Sequence, residues 1–250
     1  MNIFAAFRKD IHFFMQFKVS CFLLMFVSIS FSSFGQTQKP AAAKIPGIEQ
    51  KIKDRGLVNI QEADPTILVQ LKYSTTDNFM HKDVYGDLES AYLQPEMAKR
   101  LAKANAALKQ LHPDYRLLIY DAARPNSIQY HLWDALDDLK IPSKNKTMYV
   151  ADPKIGSNHN FGCAVDLTIA DKNGKALDMG TKFDFFGPLA YPRSEDGMLK
   201  AGKLTLDQLE NRWLLRKVMT GAGFKANATE WWHFDGMSKK EAKAKYGMIP

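Results

Sequence analysis

Two imidazoles and two carboxyl groups stand in apolar surroundings that such groups normally avoid. His159 lies in Ser157-Asn158-His159-Asn160-Phe161-Gly162, and Asp166 follows inside the apolar run Ala164-Val165-Asp166-Leu167-Thr168-Ile169. A carboxylate in a buried strand is costly unless something neutralises it. His233 ends Glu230-Trp231-Trp232-His233, where acid and imidazole again share an apolar stretch. Two imidazoles and one carboxylate suit zinc as three ligands, with a fourth position left for water. They also suit a plain His–Asp hydrogen bond, and spacing alone leaves both readings open.

Glu230 extends the chemical reading. A carboxylate beside a metal-acidified water can take its proton and pass it to a leaving amine. In an extended strand, however, residues three apart point to roughly opposite faces. A bend at the tryptophans is therefore required if Glu230 and His233 share one site. The pattern is not the His-Glu-x-x-His helix of common metalloproteases. Arg124 follows an apolar run and precedes Pro125. A guanidinium fixed there would stabilise an oxyanion, or would simply pair with Asp121.

Other reactive side chains have plainer explanations. Cys163 lies between Gly162 and Ala164 with no base left to activate it, so a small packing role is expected. His112 and His131 sit in a polar turn and on a helical pattern, and His81 lies in the polar stretch Met80-His81-Lys82-Asp83. Surface or packing roles are expected for all three.

The elements that must position these residues form a mixed pattern. Residues 57–60 and 67–71 are dense in apolar and β-branched side chains and predict short strands. Met97, Leu101, Ala104, Leu108 and Leu111 fall at helical spacing after Pro95, which suits a first turn. Residues 116–120 predict a buried strand, 127–139 a helix, and 164–169 a second buried strand. The turn Asp171-Lys172-Asn173-Gly174-Lys175 predicts a hairpin return over 175–177. A helix over 206–222 stops at Gly223, and 231–234 predicts a last strand. The expected fold class is α+β: a single domain with a central, mainly antiparallel sheet carrying the site, and helices packed around it.

The chain has 250 residues, 46% of them apolar and 24% charged, enough to build a core. Its formal net charge is +7. The Lys-rich stretches at 99–109 and 239–245 alternate with Ala and Leu, which points to solvated helix faces. No nucleic-acid motif is present. Residues 1–35 predict a signal peptide: basic residues, then an apolar run of about 13 residues, too short to span a bilayer, then small residues. An uncleaved anchor is the competing reading. Residues 36–47 predict a linker, and 48–250 the catalytic domain. Removal of the signal leaves Cys163 as the one cysteine, so no internal disulfide forms. An exported protein, periplasmic or secreted and with no lasting membrane span, is expected.

Taken together, these segments resemble the D-alanyl-D-alanine dipeptidases, the VanX-like branch of the M15 family of zinc peptidases, from about Leu57 onward. The resemblance rests on Leu71-Lys72-Tyr73-Ser74-Thr75 with Asn78-Phe79, and on Asp121-Ala122-Ala123-Arg124-Pro125. It includes Ser-x-His-x-x-Gly-x-Ala-x-Asp at Ser157, His159, Gly162, Ala164 and Asp166. It continues through Asp178-Met179-Gly180-Thr181 and Phe183-Asp184 to Glu230-Trp231-Trp232-His233.

The resemblance implies one zinc ion per chain, held by His159, Asp166 and His233. It implies Glu230 as general base and acid and Arg124 as transition-state stabiliser. Ser157 would help hold the substrate, and Asp184 would meet its free ammonium. The implied substrate is a D-alanyl-D-alanine-type dipeptide; the signal-like N-terminus adds that an exported enzyme would meet it as released wall material, in wall turnover or nutrient recovery. A carboxypeptidase or endopeptidase of the same family acting on longer wall peptides, and a non-catalytic wall-binding protein, are the alternatives. Ala123 departs from the aromatic residue often found at that place, which would widen the pocket.

Overall fold

The computed structural model describes residues 47–250. The expected signal peptide, and all of the linker except Gly47, lie outside the described residues. Regular structure begins at α1 (Ile48–Lys53). Asn59 ends β1 (Val58–Asn59), and its side chain accepts from the Gln61 N–H to cap α2 (Ile60–Ala63). The strand expected over 57–60 is therefore cut short, because an N-cap diverts the chain. The next two strands, β2 (Leu68–Val69) and β3 (Tyr92–Leu93), are also short.

The longer elements follow the apolar spacing closely. Pro95 opens α3 (Pro95–Leu111), which buries Met97, Leu101, Ala104 and Leu108. Leu111, expected inward, is exposed because the helix ends there. Next come β4 (Arg116–Asp121), α4 (Asn126–Asp138) and β5 (Ala164–Ala170). Then α5 (Glu195–Lys200) and α6 (Leu206–Gly221) lead to β6 (Lys225–Ala226), β7 (His233–Asp235) and α7 (Lys239–Lys245). The hairpin return after β5 is reduced to a single bridge between Ala170 and Ala176.

Five strands form the central sheet in the order β2-β4-β5-β7-β6, while β1 and β3 pair apart from it. Three ladders are antiparallel and β2–β4 is parallel. A parallel pair needs a long crossover, and here the intervening chain includes α3. All seven residues of β5 are buried, so this strand is covered on both faces. Helices α3 and α6 pack together and reach β4 and β5 respectively. The observed class is mixed α+β in one domain. Among the described residues, no helix is long and apolar enough to cross a membrane.

Candidate active site

Register brings the site together. The β4–β5 ladder shifts between Ile119 and Asp121, so that Asp121 pairs with Asp166 on β5, and Asp166 pairs in turn with His233 on β7. A bulge of this kind re-aims the side chains that follow it. His159 arrives from a 3-10 turn, Asn158–Phe161, that ends at Gly162. Gly162 has φ +66°, and an added Cβ would meet Leu57 Cδ2. Only glycine takes that left-handed turn and that approach without strain.

The Trp231-Trp232 pair supplies the bend that Glu230 and His233 require. These residues form a turn before β7 and not a strand, and the His233 N–H donates to the Glu230 carbonyl at 3.4 Å. Both indoles are buried and meet edge to face at 5.4 Å. Trp231 Nε1 donates to Thr181 Oγ1 at 2.7 Å. Burying two large side chains at one strand start ties the turn down.

Each imidazole has one nitrogen occupied and the other aimed inward. His159 Nδ1 lies 2.7 Å from the Ala122 carbonyl, which can only accept, so Nδ1 donates there and Nε2 faces His233 and Asp166. His233 Nε2 lies 3.1 Å from Asp235 Oδ1, leaving Nδ1 toward Asp166. His159 Nε2, His233 Nδ1 and Asp166 Oδ1 are separated by 3.2, 2.9 and 3.3 Å.

This donor set fits a divalent cation. Atoms each ~2.0 Å from a tetrahedral zinc lie ~3.3 Å from one another. With no cation, protons must do that work. Burial pulls the His233 pKa down, but hydrogen bonds to Asp166 and Asp235 carry it well above the usual value. Burial likewise opposes the Asp166 charge, and the two imidazoles overcome it, lowering its pKa. Backing of ligand imidazoles by a carbonyl and a carboxylate is a common feature of metal sites.

Glu230 stands beside this group, with Oε2 3.9 Å from His233 Nδ1. Asn227 Nδ2 donates to the same oxygen at 3.1 Å. Burial raises its pKa, against the opposing pull of His233. The shift moves the carboxyl toward the range in which it can both take and return a proton.

Arg124 combines both roles considered for it. Nε donates to Asp121 Oδ2 at 2.8 Å, Nη2 binds the same oxygen, and Nη1 donates to Gln129 at 3.0 Å. Nη2 also lies 3.7 Å from Asp166 Oδ2. Burial opposes its charge, but Asp121 keeps the pKa well above normal. Tyr85 donates to the other Asp121 oxygen at 2.6 Å. The Arg124 N–H donates to the His159 carbonyl, and Asn160 donates to the Arg124 carbonyl. The guanidinium and the His159 ring are thus held by one knot of backbone.

These groups open into a cleft of about 450 Å³, which Ser157 and Asp184 also line. Ser157 Oγ donates to Asn160 at 3.2 Å. Asp184 accepts from Tyr73 at 3.0 Å and has φ +59°, a costly backbone for a residue other than glycine. Burial and the nearby Asp166 charge push its pKa well up. Arg212 ties the flanking chain to α6, donating to the Met179 and Leu189 carbonyls at 2.7 and 3.0 Å.

Ala123 is buried in the core and is not among the cleft-lining residues. His81, His112 and His131 are exposed. Cys163 is fully buried, and burial pushes its thiol up to about 12.

Three groups went unassigned in the sequence. Asp235 backs His233, Asn158 Nδ2 donates to Asp235 at 2.7 Å, and Tyr73 meets Asp184. Asp235 has a readable signal: it lies two residues beyond His233 and so shares its face of the strand. The partners of Asn158 and Tyr73 are remote in sequence and leave no such signal.

A His–Asp–His donor set in a cleft, with a carboxylate poised beside it, is the layout of a metal-dependent hydrolase. The chain belongs to the Peptidase_M15 family, described as D-ala-D-ala dipeptidase, whose pattern matches residues 53–247. It is 35% identical over 179 residues to a D-alanyl-D-alanine dipeptidase of Escherichia coli (strain K12), covering 72% of this chain and 83% of that protein. Against the D-alanyl-D-alanine dipeptidase of Enterococcus faecium it is 29% identical over 175 residues, covering 65% and 82%. Against that of Enterococcus faecalis (strain ATCC 700802 / V583) it is 27% identical over 192 residues, covering 72% and 91%.

Proposed function

We propose that this protein is an exported, zinc-dependent dipeptidase that hydrolyses D-alanyl-D-alanine-type dipeptides released in cell-wall turnover. The observation that carries this reading is the convergence of His159 Nε2, His233 Nδ1 and Asp166 Oδ1 within 3.3 Å, with Glu230 beside them. Kinship with proteins named for that dipeptide supplies the substrate class. The export assignment rests on residues 1–35 alone.

His159, Asp166 and His233 would hold the ion, one per chain. When bound, it supplies Lewis acidity and lowers the pKa of water toward ~7. Glu230 accepts a proton from the attacking water and returns it to the leaving amine. Arg124, kept charged by Asp121, faces the negative charge that develops on the attacked carbonyl oxygen. Asp184 meets the substrate ammonium, and that contact favours its ionised form. Ser157 borders the bound peptide.

The test is hydrolysis of D,D-, L,D- and L,L-alanyl-alanine by the purified protein, with and without a chelator and with zinc restored. Chelator-sensitive cleavage of the D,D-dipeptide is expected. Faster trimming of a muropeptide than of the free dipeptide would reverse the choice toward a carboxypeptidase or endopeptidase. No cleavage of any peptide would point to a wall-binding protein.

A further inference from the structure

Asp184 has a backbone of φ +59°, and such a conformation persists only where surrounding contacts over-determine it. Its carboxylate accepts from the Tyr73 hydroxyl at 3.0 Å, which orients the side chain but not the backbone. The contacts that fix the backbone come from α6. Arg212 donates from Nε to the Met179 carbonyl at 2.7 Å and from Nη2 to the Leu189 carbonyl at 3.0 Å. Asp184 stands midway between those two residues in the chain. A single guanidinium thus joins both ends of the loop that carries it. The Arg212 side chain is buried, and its Nη1 faces Glu195, which Arg216 also holds at 2.7 and 2.9 Å.

Burying a guanidinium with a carboxylate is costly, and apolar residues of like size often serve stability as well. What apolar residues cannot supply is a planar fork that holds two carbonyls at one separation. The same loop is tied to the turn that carries Glu230. Trp231 Nε1 donates to Thr181 Oγ1 at 2.7 Å, and the Arg212 guanidinium lies 5.9 Å from the Trp231 ring centre. Neither Arg212 nor Thr181 is among the cleft-lining residues, so any effect of theirs on substrate must pass through groups that are.

We propose, on the dipeptidase reading, that Arg212 and Thr181 are positioning residues that hold the 179–189 loop so that the Asp184 carboxylate is already aimed when the substrate's ammonium arrives. A carboxylate that must first be ordered binds more weakly than one pre-set by its surroundings. The ammonium contact is made equally in the ground state and the transition state, so its loss shows in KM and not in kcat.

The experiment uses zinc-loaded full-length protein with Arg212→Lys, Thr181→Val and Asp184→Asn, and each of the first two combined with Asp184→Asn. Lysine keeps a charge against Glu195 but lacks the fork that spans two carbonyls. Valine keeps the shape of threonine and removes the acceptor for Trp231. KM and kcat for D-alanyl-D-alanine are measured together with zinc content and melting temperature. Arg212→Lys should raise KM on the order of tenfold and Thr181→Val about threefold, with kcat kept within about twofold. In the Asp184→Asn background neither should raise KM further, because the group through which they act is gone. A loss of stability alone would lower kcat or zinc content and leave KM unchanged. An unchanged KM in folded, zinc-loaded Thr181→Val, or in Arg212→Lys where that variant folds, would overturn the assignment. So would increases in KM that persist in the Asp184→Asn background. Either result leaves the dipeptidase reading intact, whereas a wild-type protein that cleaves no dipeptide would remove both.

Discussion

Asp166 on β5 stands in register with His233 on β7, and its Oδ1 lies 2.9 Å from His233 Nδ1. Sixty-seven residues separate them along the chain, so the contact exists only because two antiparallel strands are aligned. A slip of one residue would turn one of the two side chains to the opposite face. The donor set is therefore as sound as that ladder, and His159 completes it from a turn pinned to β4.

His159→Ala should abolish tight metal binding, because two remaining ligands rarely hold zinc. Metal analysis of the purified variant should find well under one ion per chain. A full complement would show that His159 is not a ligand.

Glu230→Ala should keep its metal yet lose turnover. A missing proton acceptor costs roughly 3 kcal/mol or more of barrier lowering, which is about two orders of magnitude in kcat. Near-normal activity in a metal-loaded sample would transfer the proton-handling role elsewhere.

Asp235→Ala should weaken metal binding about 10- to 100-fold, because His233 loses the partner that fixes its ring. Asp235→Asn retains an oxygen acceptor and should lose less. Competition with a chromogenic chelator measures both, and equal affinity across the three proteins would exclude an orienting role.

Gly162→Ala should destabilise the protein by about 1–3 kcal/mol. Its φ is +66°, and the new methyl would collide with Leu57 Cδ2. Denaturant melts of the metal-free protein would read this without interference from metal binding.

Cys163 should resist thiol reagents in the folded state. With its pKa pushed up to about 12, only roughly one part in ten thousand is thiolate at pH 8. Rapid labelling of the native protein, with its melting temperature unchanged, would contradict the packing role.

Much of this site is legible along the chain. His159 and Asp166 stand out because both lie within one short segment where polar groups interrupt an apolar pattern. The long helices α3 and α6 follow their apolar spacing nearly to the residue, since that stripe must face the core. The short strands are less legible. Two-residue β1 and β2 owe their pairing to partners elsewhere, and the cap at Asn59 overrides the β-branched run.

By itself the sequence determined the inventory: which imidazoles and carboxylates sit in apolar stretches, and which helices and buried strands carry them. Those are local properties of composition and period. Only the tertiary structure decided that the Trp231-Trp232 turn brings Glu230 beside His233, that Asp121 takes Arg124, and that Asp235 and Asn158 stand behind the site. These facts depend on strand register and on contacts between residues far apart in the chain, and no local pattern encodes a distance across a sheet.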